Sequence, residues 1–530
     1  MNPPIDTINA GASRRLLEVY LKFAFWYLLL VVVLNSVGFE AIYLHPTPFY
    51  ALWMPVAPSV FAPAAVLALM TAALCAISGF VNIRTISGLL AIVLAALLFD
   101  CLRLNLTVDE CLVRGWSATR SSLPAVAMFL VFATSAVIWM RRTNWLDAQP
   151  ATGTIRPILI GLILFSFLYS GAVAVVRDGV DGITAAYSRT GYEYVDDIGR
   201  GMSIRGLFRD YVSMHPHLSM HAKVHPPGPI VILWVLSMIV LSREALPLSL
   251  ATMAVGSLAI LPLYAWVRDM LGARVALLCC ALFPLVPSIT LFTATSADIT
   301  FMPIVILTLF LFWRALHRKS IAYAVGAGIL YAVCSLTSFS LLTLGAFFAF
   351  AGLWRLTYPE YRVSVVKTAA VMFTAFLAVH AGVWLWSGFN VIECFRLSSA
   401  QFFEDQRNLD LISPRFPSWT FRLLNPLCWI FFAGIPVSIL FFLRVLKPDP
   451  EAKPLFLVFV LTLIVLTPLY LARGEGERSA MYILPFVLVP AAHMLDQICR
   501  NARSVSPAIV TFAFLAYQGW IIEYYLFTYW

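Results

Sequence analysis

Apolar runs of about 20 residues recur from one end of this 530-residue chain to the other, each long enough to cross a hydrocarbon core as a helix. Hydrophobic residues make up 61% of the chain and charged ones 12%, more apolar surface than a soluble domain of this size can hide. The runs are continuous rather than alternating, which argues against membrane strands. The chain therefore reads as an all-α polytopic membrane protein.

The runs fall at 17–37, 57–81, 85–101, 122–140 and 156–176. After a polar stretch over 177–224 they resume at 246–267, 274–292, 299–313, 321–336, 338–354, 366–386, 423–443, 455–472, 480–497 and 506–526. A second polar stretch covers 388–422. Residues 1–150 form a four-helix membrane extension on this reading, and 151–530 form the main module, with large loops at 177–245 and 388–422. Arg14 and Arg15 precede the first run, and no small-residue cleavage site follows, so Phe23–Val37 reads as a retained helix rather than a signal peptide.

The segment His221–Val240, "HAKVHPPGPIVILWVLSMIV", decides the orientation of everything after it. Its apolar part, Ile230–Leu241, is short for a span. Pro226, Pro227 and Pro229 suit an extended entry or a first helical turn, not a helix interior. If the segment does not cross, and the N-terminus is cytoplasmic, Arg14, Arg15, Arg84, Arg141, Arg142, Arg156, Arg268, Arg274, Arg314, Arg318, Lys319, Arg355, Arg362, Lys367, Arg444, Lys447, Lys453, Arg500 and Arg503 all fall inside. If it crosses, every basic loop from Arg268 onward flips outward against the positive-inside rule. The non-crossing reading gives about 15 spans, with the N-terminus inside, the C-terminus outside and the helix after His225 lying on the outer face.

The net charge of +9 sets orientation and implies no nucleic-acid partner. There is no zinc-type cysteine cluster, Walker loop or GxGxxG, and the inner loops leave no room for a nucleotide-binding domain. Nine cysteines are scattered, mostly in apolar runs. Cys101 and Cys111 share one polar loop, where they either pair in an oxidising compartment or stay free thiols. Asn105-Leu106-Thr107 is a glycosylation sequon if the host uses it.

Polar groups with chemistry gather on the outer side. Asp196 and Asp197 are adjacent carboxylates near an apolar boundary, where a raised pKa suits a general base; the plain alternative is a solvated turn or a helix cap. His215, His217, His221 and His225 lie close together but show no firm ligand spacing, so interface packing competes with a metal site. Asp298 opens a span, as a site residue or as an N-terminal charge. Arg473 and Arg478 flank glutamates at a membrane edge, where they either clamp a phosphate or snorkel in salt bridges.

These pieces in this order resemble the GT-C class of integral-membrane glycosyltransferases, which includes protein O-mannosyltransferases and aminoarabinose transferases. The resemblance covers about 156–500. It rests on Asp196-Asp197 in the large loop, His225-Pro226-Pro227 introducing a surface helix, Asp298 opening a later span in "SADITFMPI", and "GAGILYAVCSLTSFS". It closes on Arg478, Tyr482 and Pro485 in "ERSAMYILPFVLVP". Two departures stand out. The family's acidic motif is often Asp-Glu where this chain has Asp-Asp, and its usual Thr-Lys pair is Thr337-Ser338 here.

The resemblance implies a sugar donor carried on polyprenyl phosphate and an acceptor that is a glycan, a lipid or a protein. It implies inverting transfer with Asp196 or Asp197 as base. His225, Asp298, Arg473, Arg478 and Tyr482 would bind substrate. A divalent metal is compatible with this chemistry and not required by it. The expected setting is a bacterial inner membrane with the site on the periplasmic side. Competing classes are a transporter or lipid flippase, which wants charges deep in its spans, an O-antigen ligase or polymerase-like enzyme, and a non-catalytic scaffold whose outer carboxylates are replaceable.

Overall fold

The structure is a computed structural model that describes residues 11–24, 26, 44–46, 104–106, 123–142, 152–188, 191–199, 203–412, 421–469, 476–479 and 481–525. Apart from two three-residue strands, Leu44–Pro46 and Leu104–Leu106, paired antiparallel, its regular structure is helical. The expected spans at 57–81 and 85–101, together with Cys101, Cys111 and Arg473, lie outside the described residues.

Six helices among the described residues are long and apolar enough to cross a membrane: Gly153–Val176, Ala245–Leu271, Ala297–Arg318, Phe339–Leu356, Pro359–Ser387 and Met481–Ala502. Two bent pairs raise the number to eight if each is one span. Four further apolar helices, Ala127–Met140, Gly228–Ile239, Ile321–Thr337 and Lys453–Leu469, are shorter. Met481–Ala502 is 78% buried and Pro359–Ser387 only 11%, which puts the first in the middle of the bundle and the second at its rim. The rim helix turns Val363, Val366, Phe373, Trp384 and Leu385 outward, an apolar surface suited to lipid.

Aromatic rings lock the centre. Trp266 meets Phe347 and Phe459 at 6.0 Å and Phe486 at 6.4 Å between ring centroids, so four helices share one contact. The sharpest bend shows how broken backbone is tolerated inside a bundle. Asn425–Phe432 and Ile435–Leu446 meet at 107° across Gly434, whose φ of +90° an L side chain rarely adopts. The Gln518 side chain spans the break. Its oxygen accepts from the Ile435 amide at 2.8 Å and its nitrogen donates to the Phe431 carbonyl at 2.8 Å, satisfying groups that lipid could not.

Charges collect at one end of the bundle. Arg314 grips Asp269 at 2.6 Å, Arg274 grips Asp496 at 2.6 Å, Arg500 joins Asp496 at 3.0 Å, and Lys319 donates to the Glu360 carbonyl at 2.9 Å. These contacts join the ends of three helices and the starts of two others. The opposite ends of two of them carry Asp298 and Tyr482, and Thr337 ends the helix Ile321–Thr337.

Candidate functional site

The site is built on the turn 191–199. Gly191, with φ +84°, opens it. The Met220 amide donates to the Gly191 carbonyl and the His221 amide to the Tyr192 carbonyl, both at 3.1 Å, so the turn is stitched to the segment that leads into the His-Pro-Pro signature. Asp196 accepts from the Gly191 amide at 2.6 Å. Asp197 presents both oxygens to the Ser219 amide, at 3.1 and 3.2 Å. Both aspartates thus hold backbone. Burial pushes the Asp197 carboxyl above the usual range, helped by the charge of Asp196 and opposed by the Ser219 amide.

The helix Gly228–Ile239 begins and ends beside this turn. At its entry, His225 sets its ring edge-on to Tyr194 at 5.8 Å, and the Tyr211 hydroxyl is shared between the Ala222 and His225 carbonyls at 2.9 Å. Just past its exit, Arg243 donates to the Ile198 carbonyl at 2.9 Å and the Gly199 carbonyl at 3.3 Å. A 12-residue helix rises only about 18 Å. Both ends of the proline-led segment are therefore held by one turn.

Gly228 explains why the signature continues into glycine. A Cβ there would stand 2.2 Å from the Leu336 carbonyl oxygen, so the helix start is pressed onto the end of Ile321–Thr337. The two sequence elements, Pro226-Pro227-Gly228 and Leu336-Thr337-Ser338, therefore meet. The Thr337 hydroxyl bonds back to Val333 at 2.7 Å.

Asp298 follows Ser296, whose hydroxyl accepts from the Asp298 amide at 3.2 Å and starts the turn before the helix Phe301–Arg318. Its carboxylate faces Arg478, Nε to Oδ2 at 3.6 Å, with both side chains largely buried. Tyr482 is bonded at its hydroxyl to Thr343 at 3.2 Å, which ties the segment after Arg478 to the neighbouring helix start. The sequence placed Asp298 and Arg478 together only by family pattern; here they are an ion pair.

One residue that the sequence reading passed over stands among them. Glu193 is 2% exposed, and its Oε1 lies 3.2 Å from His221 Nδ1. Tyr194, also buried, packs tilted against the same imidazole, 5.9 Å between ring centroids. Burial pushes the Tyr194 hydroxyl well up, followed by the negative charges of Asp298 and Glu193, with Arg478 working the other way. Those four groups thus act on one spot. The signal in the sequence was a lone acid between two tyrosines, Tyr192-Glu193-Tyr194, whose flanks predict burial. The adjacent pair Asp196-Asp197 drew attention away from it.

The histidines separate. His215 bonds to the Lys223 carbonyl at 2.9 Å, His217 is exposed, and His221 and His225 flank Tyr194. No group of three or more His, Cys, Asp or Glu is arranged to hold a metal among the described residues.

Residues 224–386 match the profile of the family described as dolichyl-phosphate-mannose-protein mannosyltransferase. No curated protein matches the chain. The matched stretch starts at the His-Pro-Pro signature and includes Gly228, Asp298 and Thr337. By that match residues 224–386 are similar to a glycosyltransferase family of the GT-C type.

Proposed function

We propose that the protein moves a sugar from a polyprenyl-phosphate carrier to a hydroxyl- or amine-bearing acceptor on the outer face of its membrane, inverting the anomeric carbon. The observation that carries this reading is the buried Arg478–Asp298 pair beside the 191–199 turn, with Asp298 inside the stretch that matches the family. A guanidinium fits phosphate oxygens, and a fixed cation is what a departing phosphate needs.

In the step itself the acceptor oxygen or nitrogen attacks the anomeric carbon from the face opposite the phosphate. The new bond forms as the carbon–oxygen bond to phosphate breaks, and that electron pair stays on the phosphate. Arg478, with Arg473 from the adjoining segment, supports the developing charge. A carboxylate of the 191–199 turn, the region in which Asp196 and Asp197 were expected to act, takes the acceptor's proton. Asp298 holds Arg478 in place between turnovers. His225 and Tyr482 shape the pocket wall. The polyprenyl tail lies between helices, near the exposed Met238, Ile239 and Leu241.

The charge pattern supports the outer face. Arg268, Arg274, Arg314, Arg318, Lys319, Arg355 and Arg362 lie at the end of the bundle opposite Asp298. Short basic loops stay in the cytoplasm, so the Asp298 end faces out, in a bacterial cell into the periplasm. About 15 passes follow if the N-terminal runs also cross. The buried charges Arg444 and Asp496 sit at the basic end, not midway along a transport path.

The test is transfer of radiolabelled mannose from polyprenyl-phosphate mannose into acid-stable material, in membranes with and without the protein. Protein-dependent incorporation that disappears in Arg478→Ala supports the reading. Equal incorporation without the protein, across polyprenyl-phosphate hexoses, contradicts it.

A further inference from the structure

We propose that Glu193, set in place by His221, is the carboxylate that takes the acceptor's proton, and that Asp196 and Asp197 build the turn that carries it. The inference rests on the glycosyltransferase reading and names the base within that site.

Three carboxylates compete for the role, and their surroundings separate them. Asp196 accepts from Gly191 at 2.6 Å, and both oxygens of Asp197 face the Ser219 amide. Removing either acceptor from its amide would loosen the turn. Glu193 makes no such backbone contact. It is 2% exposed, and its Oε1 forms no hydrogen bond, although His221 Nδ1 stands 3.2 Å away. A buried carboxylate oxygen with open lone pairs is costly. A bound acceptor hydroxyl would satisfy it.

Position agrees with this. The paired amides of Met220 and His221 fix His221 against Tyr192 and so place Glu193 beside the imidazole. The groups around Glu193 are Tyr194 from the turn, His221 from the short helix Met220–Lys223 and Tyr187 from the helix Val180–Ser188; Asp298 acts on the same two tyrosines, and Arg478 on Tyr194. Asp298 is matched to Arg478, which leaves Glu193 as the acid without a cation of its own beyond His221. His221 is a positioning residue: it limits where the carboxylate can swing and offsets its charge.

The proton balance is simple. The acceptor O–H or N–H proton passes to a Glu193 oxygen as the new bond to the anomeric carbon forms, and the phosphate leaves with the electron pair of the broken bond. The neutral acid then returns the proton to water when product departs.

The experiment uses full-length protein in vesicles, with polyprenyl-phosphate mannose as donor and native-membrane extract as acceptor. Glu193→Gln keeps size and hydrogen-bonding and is expected to lower kcat about 1,000-fold with donor KM within about threefold. Asp196→Asn and Asp197→Asn are expected to lose less than about tenfold. His221→Ala is expected to lower kcat, and His221→Asn, which restores a polar group near the Nδ1 position, to recover part of it. Melting temperature is read on each variant, with Glu193→Asp as a second probe that keeps the charge and shifts it. A Glu193→Gln enzyme within about tenfold of wild type, or an Asp197→Asn loss exceeding it, overturns the assignment while leaving glycosyl transfer standing. A wild type that neither binds nor turns over polyprenyl-phosphate sugars overturns the reading beneath and this assignment with it.

Discussion

Arg478 Nε stands 3.6 Å from Asp298 Oδ2 in a place where both side chains are largely withdrawn from solvent. The two come from distant parts of the chain, one from the turn that opens Phe301–Arg318 and one from the short helix Gly476–Ser479. The gap exceeds a formed hydrogen bond and remains within ion-pair range. The guanidinium is thereby kept beside the 191–199 turn, where its charge also acts on Tyr194.

Substitution at Arg478 should therefore act on the donor. Arg478→Ala is expected to lower transfer at least about 100-fold, the scale of losing one donor to a developing oxyanion. Arg478→Lys should recover only part, since an ammonium lacks the planar fork. Steady-state transfer with varied donor checks both.

Gly228 is where two sequence elements touch. Gly228→Ala puts a methyl 2.2 Å from the Leu336 carbonyl, against backbone that cannot rotate away. The expected cost is about 1–3 kcal/mol of stability, as for other overpacked sites. Transfer should fall too, since the helix start carries His225. Thermal melting and transfer activity read the two effects.

Asp197 carries a pH signature. Its pKa is raised by burial, so the folded chain binds more protons than the unfolded one between the ordinary carboxylate value and the raised one. Its contribution to stability falls as pH rises through that window and stays lost above it. Asp197→Asn keeps an acceptor for Ser219 and removes the buried charge. It should melt at or above wild type at neutral pH, with the gap closing below about pH 4. Asp197→Ala loses the acceptor and should cost about 1 kcal/mol at every pH.

The basic end predicts topology. Arg209 is exposed near the site turn, and Lys319 is exposed at the far end. The described cysteines are all buried, so added ones should dominate labelling. A membrane-impermeant maleimide on intact cells should modify Arg209→Cys, and Lys319→Cys only after permeabilisation. The reverse pattern would put the site inside.

Stability at that end depends on Asp496. It is 1% exposed and receives both Arg274 and Arg500. Asp496→Ala removes the carboxylate that both arginines contact and should cost about 3 kcal/mol, mostly through the more buried Arg274 pair. Donor KM should stay at the wild-type value, since the pair lies far from Arg478. Chemical denaturation and kinetics separate the two readouts.

Much of this was legible beforehand because membrane insertion writes itself into composition. Long apolar runs announced helices, and basic loops announced their ends. The short run after His225 reads as non-crossing from its length and prolines, and just past that run Arg243 bonds back to Ile198, a contact that no pattern in the sequence announces. Individual roles were less legible. Adjacent acids attract attention, yet Asp196 and Asp197 spend their oxygens on amides that no pattern reveals. Glu193 sits in the same stretch without a motif, and only the pairing of 191–192 with 220–221 brings it against His221. The four histidines lie close in sequence, but turns at 215–217 and 220–223 divide them: His215 bonds to the Lys223 carbonyl, while His221 and His225 meet Tyr194. Thr337-Ser338, a departure from the family pattern, still packs against Gly228, because that contact uses backbone rather than a side chain.

The most direct test of the central claim is native mass spectrometry of the full-length protein with an added long-chain polyprenyl phosphate, against the matching polyprenol. The account predicts one bound polyprenyl phosphate on the wild type, loss of that species in Arg478→Ala, and little binding of the neutral alcohol. Equal binding of phosphate and alcohol, or binding that Arg478→Ala leaves intact, would contradict it.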